Sequence, residues 1–246
     1  MPKFKLIAHR GYTRHFPENT IVGLGAAIEA GARAVEIDIQ LTADQVLVLF
    51  HDRDLKRVCG VDGAIHDHTL QQVQAFRASE PERLGDAFEH TKVATLSEFV
   101  QLMLHHPNVR IFVEVKRVAI EKLGATTILS LLHRELAPVR KRCVLISFDY
   151  DFMLAARRNG WEYIGVILES WGDRNQRIVD DIQPQYTFCN YKKLPKLGSV
   201  KKRKSRLVLY EVNDPKLAIK LAKRGADYIE TFDIEKMSLL LAKHME

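Results

Sequence analysis

The chain has 246 residues, of which 46% are apolar and 28% charged. These proportions exclude a disordered or fibrous polypeptide and allow one large α/β domain or two small ones. The net charge of +6 and an isoelectric point near 9.2 favour anionic ligands by long-range steering.

The first strand is predicted at 4–8 (FKLIA), ending abruptly in His9-Arg10-Gly11. Pro17-Glu18-Asn19-Thr20 then leads into a helix over 20–30 that stops at Gly31. A second strand spans 33–41 (RAVEIDIQL), and only Thr42–Gln45 separates it from the apolar run 46–50 (VLVLF), which precedes His51-Asp52. That gap is too short for a parallel crossover, so the run is expected to fold back as a hairpin. A turn centred on Ala43-Asp44 sets His51 opposite Glu36. Residues 53–94 show little pattern beyond a short helix, TLQQVQAF, and read as an excursion able to roof one face. The Thr95/Glu98 spacing of a capping box opens a helix over 95–105.

Strands at 109–115, 143–148, 163–168, 185–190, 206–212 and 227–231 follow, each short and rich in β-branched or aromatic residues. Helices are expected over 118–136, 150–159 and 215–224, the last closing on Gly225. Eight strands alternating with helices match a (β/α)₈ TIM barrel, with a β-hairpin extension after the second strand and an insertion at 53–94. No Pro/Ser-rich linker divides the chain, so residues 1–246 are taken as one domain.

Nothing has the length of a spanning helix, and the apolar run after Met1 is too short for a signal peptide, which points to a cytoplasmic protein. Cys59, Cys143 and Cys189 are scattered, without metal or dithiol spacing, and are expected as buried reduced thiols. Residues 192–206 hold eight basic side chains and no acid. They read as a solvated loop or, alternatively, as an anionic-membrane contact. Aromatic interleaving suited to nucleic acid is lacking.

The chemistry concentrates at strand ends. Glu36 and Asp38 alternate onto one face of their strand, while Ile37 and Ile39 face the helices. Glu114 and Lys116 share a face in FVEVK. Three inward carboxylates repel one another unless a cation sits between them, and an all-oxygen set suits Mg²⁺ or Ca²⁺. His9 and His51 beside such a site can divide acid and base work near neutral pH. Arg10 and Lys116 offer a planar fork and a point charge for phosphate oxygens. A hard metal, two imidazoles and cationic donors together indicate phosphoryl chemistry.

The ordered set HRG, PENT, EIDIQLTAD, VLVLFHD and FVEVK resembles the glycerophosphodiester phosphodiesterases of the phospholipase-C-like TIM-barrel superfamily. The resemblance implies Glu36, Asp38 and Glu114 as metal ligands, His9 and His51 as the acid/base pair, and Arg10 and Lys116 on the phosphate. Glu18 and Asn19 would complete the polar shell, and Tyr210 would stand where the family has a pocket-lining Trp. Phe232 falls where the family has Asp, and Gln45 where it has a turn glycine. The activity implied is metal-dependent cleavage of a small-molecule glycerophosphodiester to sn-glycerol 3-phosphate and an alcohol. The alternatives are a lysophospholipase D-type activity and a non-catalytic phosphate-binding barrel. Arg14 and His15 match no motif position and are expected on the loop surface.

Overall fold

The computed structural model describes residues 4–196, 200 and 204–243. In chain order the first elements are β1 (Lys5–His9), α1 (Ile21–Glu29), β2 (Ala34–Leu41) and β3 (Leu47–Leu49). The excursion carries α2 (Lys56–Cys59), α3 (Leu70–Ala75) and α4 (Pro81–Leu84). Then come α5 (Leu96–Leu104), β4 (Arg110–Val115), α6 (Arg117–Leu123), α7 (Ala125–Glu135), β5 (Cys143–Ser147) and α8 (Tyr150–Arg158). The chain continues through β6 (Ile164–Leu168), α9 (Arg177–Ile182), β7 (Tyr186–Asn190) and β8 (Arg206–Tyr210). It closes with α10 (Pro215–Arg224), β9 (Tyr228–Thr231) and α11 (Ile234–Lys243).

Every strand except β3 pairs in parallel, in the order β1-β2-β4-β5-β6-β7-β8-β9, and β9 returns to β1, so the sheet closes into an eight-stranded barrel. Alternation along the strands decides what fills it. Ile7, Phe112, Ile146, Tyr186, Phe188 and Tyr228 form part of one interior cluster. The residues between them, such as Val35, Ile37, Ile39 and Val113, pack outward into the larger core beneath the helices. Following each interior row upward leads to the C-terminal rim: Ile7 to His9, Ala34 to Glu36 and Asp38, Phe112 to Glu114.

Local signals set the helix starts. The Thr20 hydroxyl accepts from the Gly23 N–H at 3.1 Å, and Thr95 and Glu98 form a reciprocal capping box. The stretch 118–136 is not one helix. It breaks at Gly124, whose φ of +81° separates α6 from α7.

The hairpin is present, but its register is one residue from the sequence expectation. Ile39 pairs with Leu49 and Leu41 with Leu47, so the turn centres on Asp44. The Thr42 N–H donates to the Val46 carbonyl at 3.0 Å, closing a three-residue loop with Gln45 at φ +63°. Gln45 therefore holds a backbone conformation for which glycine is the unstrained choice. Extending that register places His51 across from Ile37 rather than Glu36.

The excursion has its own apolar centre, in which Val48 and Phe50 of the hairpin pack with Leu55, Val58, Ile65 and Val73. All three cysteines are free and buried, and burial pushes their thiols up to about 12 for Cys59 and Cys143 and about 11 for Cys189. No helix among the described residues is long and apolar enough to cross a membrane. Of the basic segment, residues 197–199 and 201–203 lie outside the described residues, as does the contact expected of them.

Candidate active site

The chain turns sharply as it leaves β1. Arg10 sits at φ +58° and Gly11 at φ +95°, and a Cβ on Gly11 would lie 2.8 Å from the Gly23 carbonyl carbon. Only glycine allows this approach of the first loop to α1. The Arg10 N–H donates to the Glu36 carbonyl at 3.0 Å and its carbonyl accepts from the Asn19 N–H at 3.0 Å. Asn19, also left-handed at φ +54°, exchanges two hydrogen bonds with Asp38. One donates from its Nδ2 to Oδ2 at 2.9 Å, and the other is received by its Oδ1 from the Asp38 N–H at 3.1 Å.

Asp38 is fully buried and carries two cations. Lys116 Nζ lies 2.8 Å from Oδ1 and Arg10 Nε 3.0 Å from Oδ2. Burial alone would raise this carboxyl, but Lys116 and Arg10 hold it well below the usual carboxylate range. Lys116 also reaches Glu114 at 2.5 Å, so the acid two residues before it in sequence is one of its partners. One oxygen from each of Glu36, Asp38 and Glu114 lies within 4.8 Å of the others. Glu36 Oε1 is buried without a hydrogen-bond partner. Burial raises the Glu36 carboxyl, and the nearby charges of Asp38, Glu230 and Glu114 raise it further. The donor set fits a hard divalent cation: it is all oxygen and converging, and Glu36 Oε1 is left without a partner.

His9 and His51 line the same cavity of about 170 Å³ as Glu36 and Glu114. The His9 ring stacks on Phe232, with centroids 4.9 Å apart and planes at 16°, and its Nε2 lies 3.7 Å from Glu36. Burial lowers the His9 pKa well below its ordinary value, and Arg10 adds to the effect. His51 lines the cavity despite the shifted hairpin register, one residue beyond Phe50, whose N–H makes a ladder bond to the Asp38 carbonyl at 3.0 Å. The His51 Nδ1 is 2.6 Å from Asp52 Oδ1.

Arg57, on α2, is a site residue that the motifs did not reveal. Its Nε donates to Asp52 at 2.7 Å, and its two terminal nitrogens grip Glu18 at 2.6 and 2.9 Å. Glu80, at φ +48°, accepts from the Glu18 N–H at 2.7 Å, and Arg83 is bound to Glu80. The excursion is thus clasped to the first loop through Glu18, which also lies 3.4 Å from Arg10. Glu230, two residues after Tyr228 on the inward face of β9, is the second residue missed. It lines the cavity and is 3% exposed. The period-two rule that singled out Glu36 and Glu114 applies equally to Tyr-Ile-Glu-Thr. Tyr210 lines the cavity, whereas Arg14 and His15 lie exposed on the loop.

Residues 9–231 match the glycerophosphoryl diester phosphodiesterase family. The chain belongs to that family. It is 34% identical over 162 residues to glycerophosphodiester phosphodiesterase 1 of Bos taurus, a match covering 66% of this chain and 48% of the relative. The chain thus spans about half the length of this curated relative. A glycerophosphodiester phosphodiesterase of Caldanaerobacter subterraneus subsp. tengcongensis is 27% identical, with 98% of this chain and 99% of that protein covered. In fold, the chain is similar to an Oleispira antarctica phosphodiesterase solved with the product sn-glycerol-3-phosphate. The TM-score is 0.86 at 23% identity, covering 97% of this chain and 96% of that one.

Proposed function

We propose that this chain is a metal-dependent glycerophosphodiester phosphodiesterase, releasing sn-glycerol 3-phosphate and an alcohol within one domain. The observation that carries the reading is the convergence of His9, His51, Glu36, Glu114 and Lys116 on one cavity at the strand C-termini. Glu36, Asp38 and Glu114 would hold one divalent cation, Mg²⁺ or Ca²⁺. When bound, the cation would polarise a phosphate oxygen and offset charge that builds during bond breaking.

Arg10 and Lys116 receive the non-bridging phosphate oxygens. Both are held by buried carboxylates, so their charges are already oriented before substrate arrives. Asp52 accepts from Nδ1 of His51, which leaves the Nε2 lone pair free to take a proton. His51 is accordingly the base, acting on the hydroxyl of a water or of the substrate's own glycerol; in the second case the cyclic phosphodiester left when the alcohol departs is opened by water to give sn-glycerol 3-phosphate. His9 delivers a proton to the departing alkoxide. Its charged form is disfavoured by burial in the free protein, and the phosphate anion reverses that on binding.

The test is a chelated preparation assayed on glycerophosphoethanolamine, following sn-glycerol 3-phosphate. Release restored by Mg²⁺ or Ca²⁺ supports the reading. Release that is indifferent to chelation, or absent with every divalent ion, contradicts it.

A further inference from the structure

The two imidazoles of the cavity are held in different ways. His51 has an acceptor, Asp52 Oδ1, 2.6 Å from its Nδ1. His9 has none. Its Nδ1 is buried without a hydrogen-bond partner among the described residues, and its Nε2 stands 3.7 Å from Glu36, beyond hydrogen-bonding range. The last torsion of a histidine has broad minima, so an imidazole bonded through neither nitrogen can swing about it. A proton, however, is delivered along one direction in the ring plane, and a misaimed donor loses rate.

What His9 has instead is a flat neighbour. The half-buried Phe232 ring lies against it with centroids 4.9 Å apart and planes at 16°, a stack that favours one orientation of the imidazole. Phe232 is itself fixed through its backbone. Its N–H donates to Asn213 Oδ1 at 2.9 Å, an oxygen that also accepts from the Thr231 hydroxyl at 2.9 Å. Its carbonyl accepts from the Arg14 N–H at 2.9 Å. The β8–α10 loop and the loop after β1 therefore clamp the ring from two sides. Phe232 also stands between two cavities. His9 lines the one of about 170 Å³, whereas Phe232 lines a larger one of about 710 Å³ with Arg14, Glu18, Arg57 and Lys236 on its walls. The ring screens the imidazole from that polar space, where water would compete for the proton His9 carries.

We propose that Phe232 is a positioning residue for His9: ring stacking, in place of a hydrogen bond, holds the imidazole in the plane from which it protonates the departing alkoxide. The proposal rests on the phosphodiesterase reading above and on the acid role that reading gives to His9.

The test uses two substrates, with divalent ion saturating: glycerophosphoethanolamine, whose leaving alkoxide needs a proton, and the p-nitrophenyl diester of glycerol phosphate, whose leaving phenolate does not. Phe232→Leu keeps the bulk and removes the flat face. It should lower kcat on glycerophosphoethanolamine by roughly tenfold or more with KM within about threefold, and slow the p-nitrophenyl diester by less than about threefold. Phe232→Tyr, which keeps the ring, should recover most of the lost rate. Equal loss on both substrates, a rise in KM alone, or a loss that tyrosine does not recover overturns the proposal. The His9 Cε1 proton, assigned by its absence from the NMR spectrum of His9→Ala, should be shifted upfield in the wild type and in Phe232→Tyr and move downfield in Phe232→Leu. If neither substrate is cleaved with any divalent ion, the phosphodiesterase reading fails and the stack is judged by that resonance alone: a downfield move supports it. An unmoved resonance overturns the proposal in either case. Should Phe232→Leu not fold, Phe232→Met is read in its place by the same criteria.

Discussion

His51 Nδ1 lies 2.6 Å from Asp52 Oδ1, so the residue that follows the proposed base also fixes its tautomer. Asp52 in turn is held by Arg57 from the excursion at 2.7 Å. Orientation of the imidazole therefore depends on a segment that does not itself line the cavity.

Asp52→Asn keeps the shape but replaces an acceptor with an amide that can donate to Nδ1. That favours the tautomer protonated at Nε2, which cannot accept a proton from a nucleophile. Turnover should fall by roughly 10²-fold with KM changed by less than about threefold. Steady-state kinetics on a glycerophosphodiester measures both. A rise in KM alone would show that Asp52 binds substrate instead.

The same pair gives a pH dependence. Burial would raise the Asp52 carboxyl, but hydrogen bonds from His51 and Arg57 hold it below the usual carboxylate range. The unfolded chain therefore binds more protons than the folded one in that range, and stability rises with pH there. Asp52 contributes fully above about pH 4 and loses its contribution as pH falls toward the depressed value. Urea unfolding of wild type and Asp52→Asn should differ by about 1 kcal/mol near pH 7, with the gap closing under acid conditions. A gap constant down to acid pH would count against the ion-paired Asp52.

Arg57 makes a bidentate contact with Glu18 that a lysine cannot reproduce. Arg57→Lys should lower kcat by about tenfold, as expected for a group that orients a site residue. Combined with Asp52→Asn it should add little, because both act through His51. Full additivity in the double variant would separate Arg57 from the histidine.

How far the sequence disclosed this site follows from the kind of geometry involved. Strand alternation is local and rigid, so Glu36, Asp38, Glu114 and Lys116 could be placed on the inward face from spacing alone. Glu230 obeys the same rule but lacks a motif to draw attention to it. The hairpin register slipped by one because it depends on Gln45 adopting a left-handed backbone, which its side chain does not announce. The break at Gly124 is of the same kind: a glycine tolerated in a helix and a glycine ending one look alike in sequence. Arg57 was illegible because its partners, Asp52, Glu18 and Glu80, come together only when three separate segments meet. Phe232, odd as a replacement for Asp, acquires a role only once its ring is seen against His9.

Asp38→Asn removes the carboxylate shared by Lys116 and Arg10 and leaves two largely buried cations without it. Breaking one partner of a buried pair costs about 3–5 kcal/mol, so denaturant midpoints in chelator should fall accordingly. Stabilisation of the wild type by Mg²⁺ or Ca²⁺ should also be lost in the variant. Retained metal stabilisation would remove Asp38 from the ligand set.

The most direct test of the account is single-turnover cleavage of a glycerophosphodiester by His9→Ala and His51→Ala, with saturating divalent ion and substrate binding measured separately. On the proposed division of one proton transfer to each imidazole, each variant should lose roughly 10²–10⁴-fold in rate while binding substrate within about threefold of wild type. Near-wild-type turnover in either variant would contradict the assignment of acid and base to this pair.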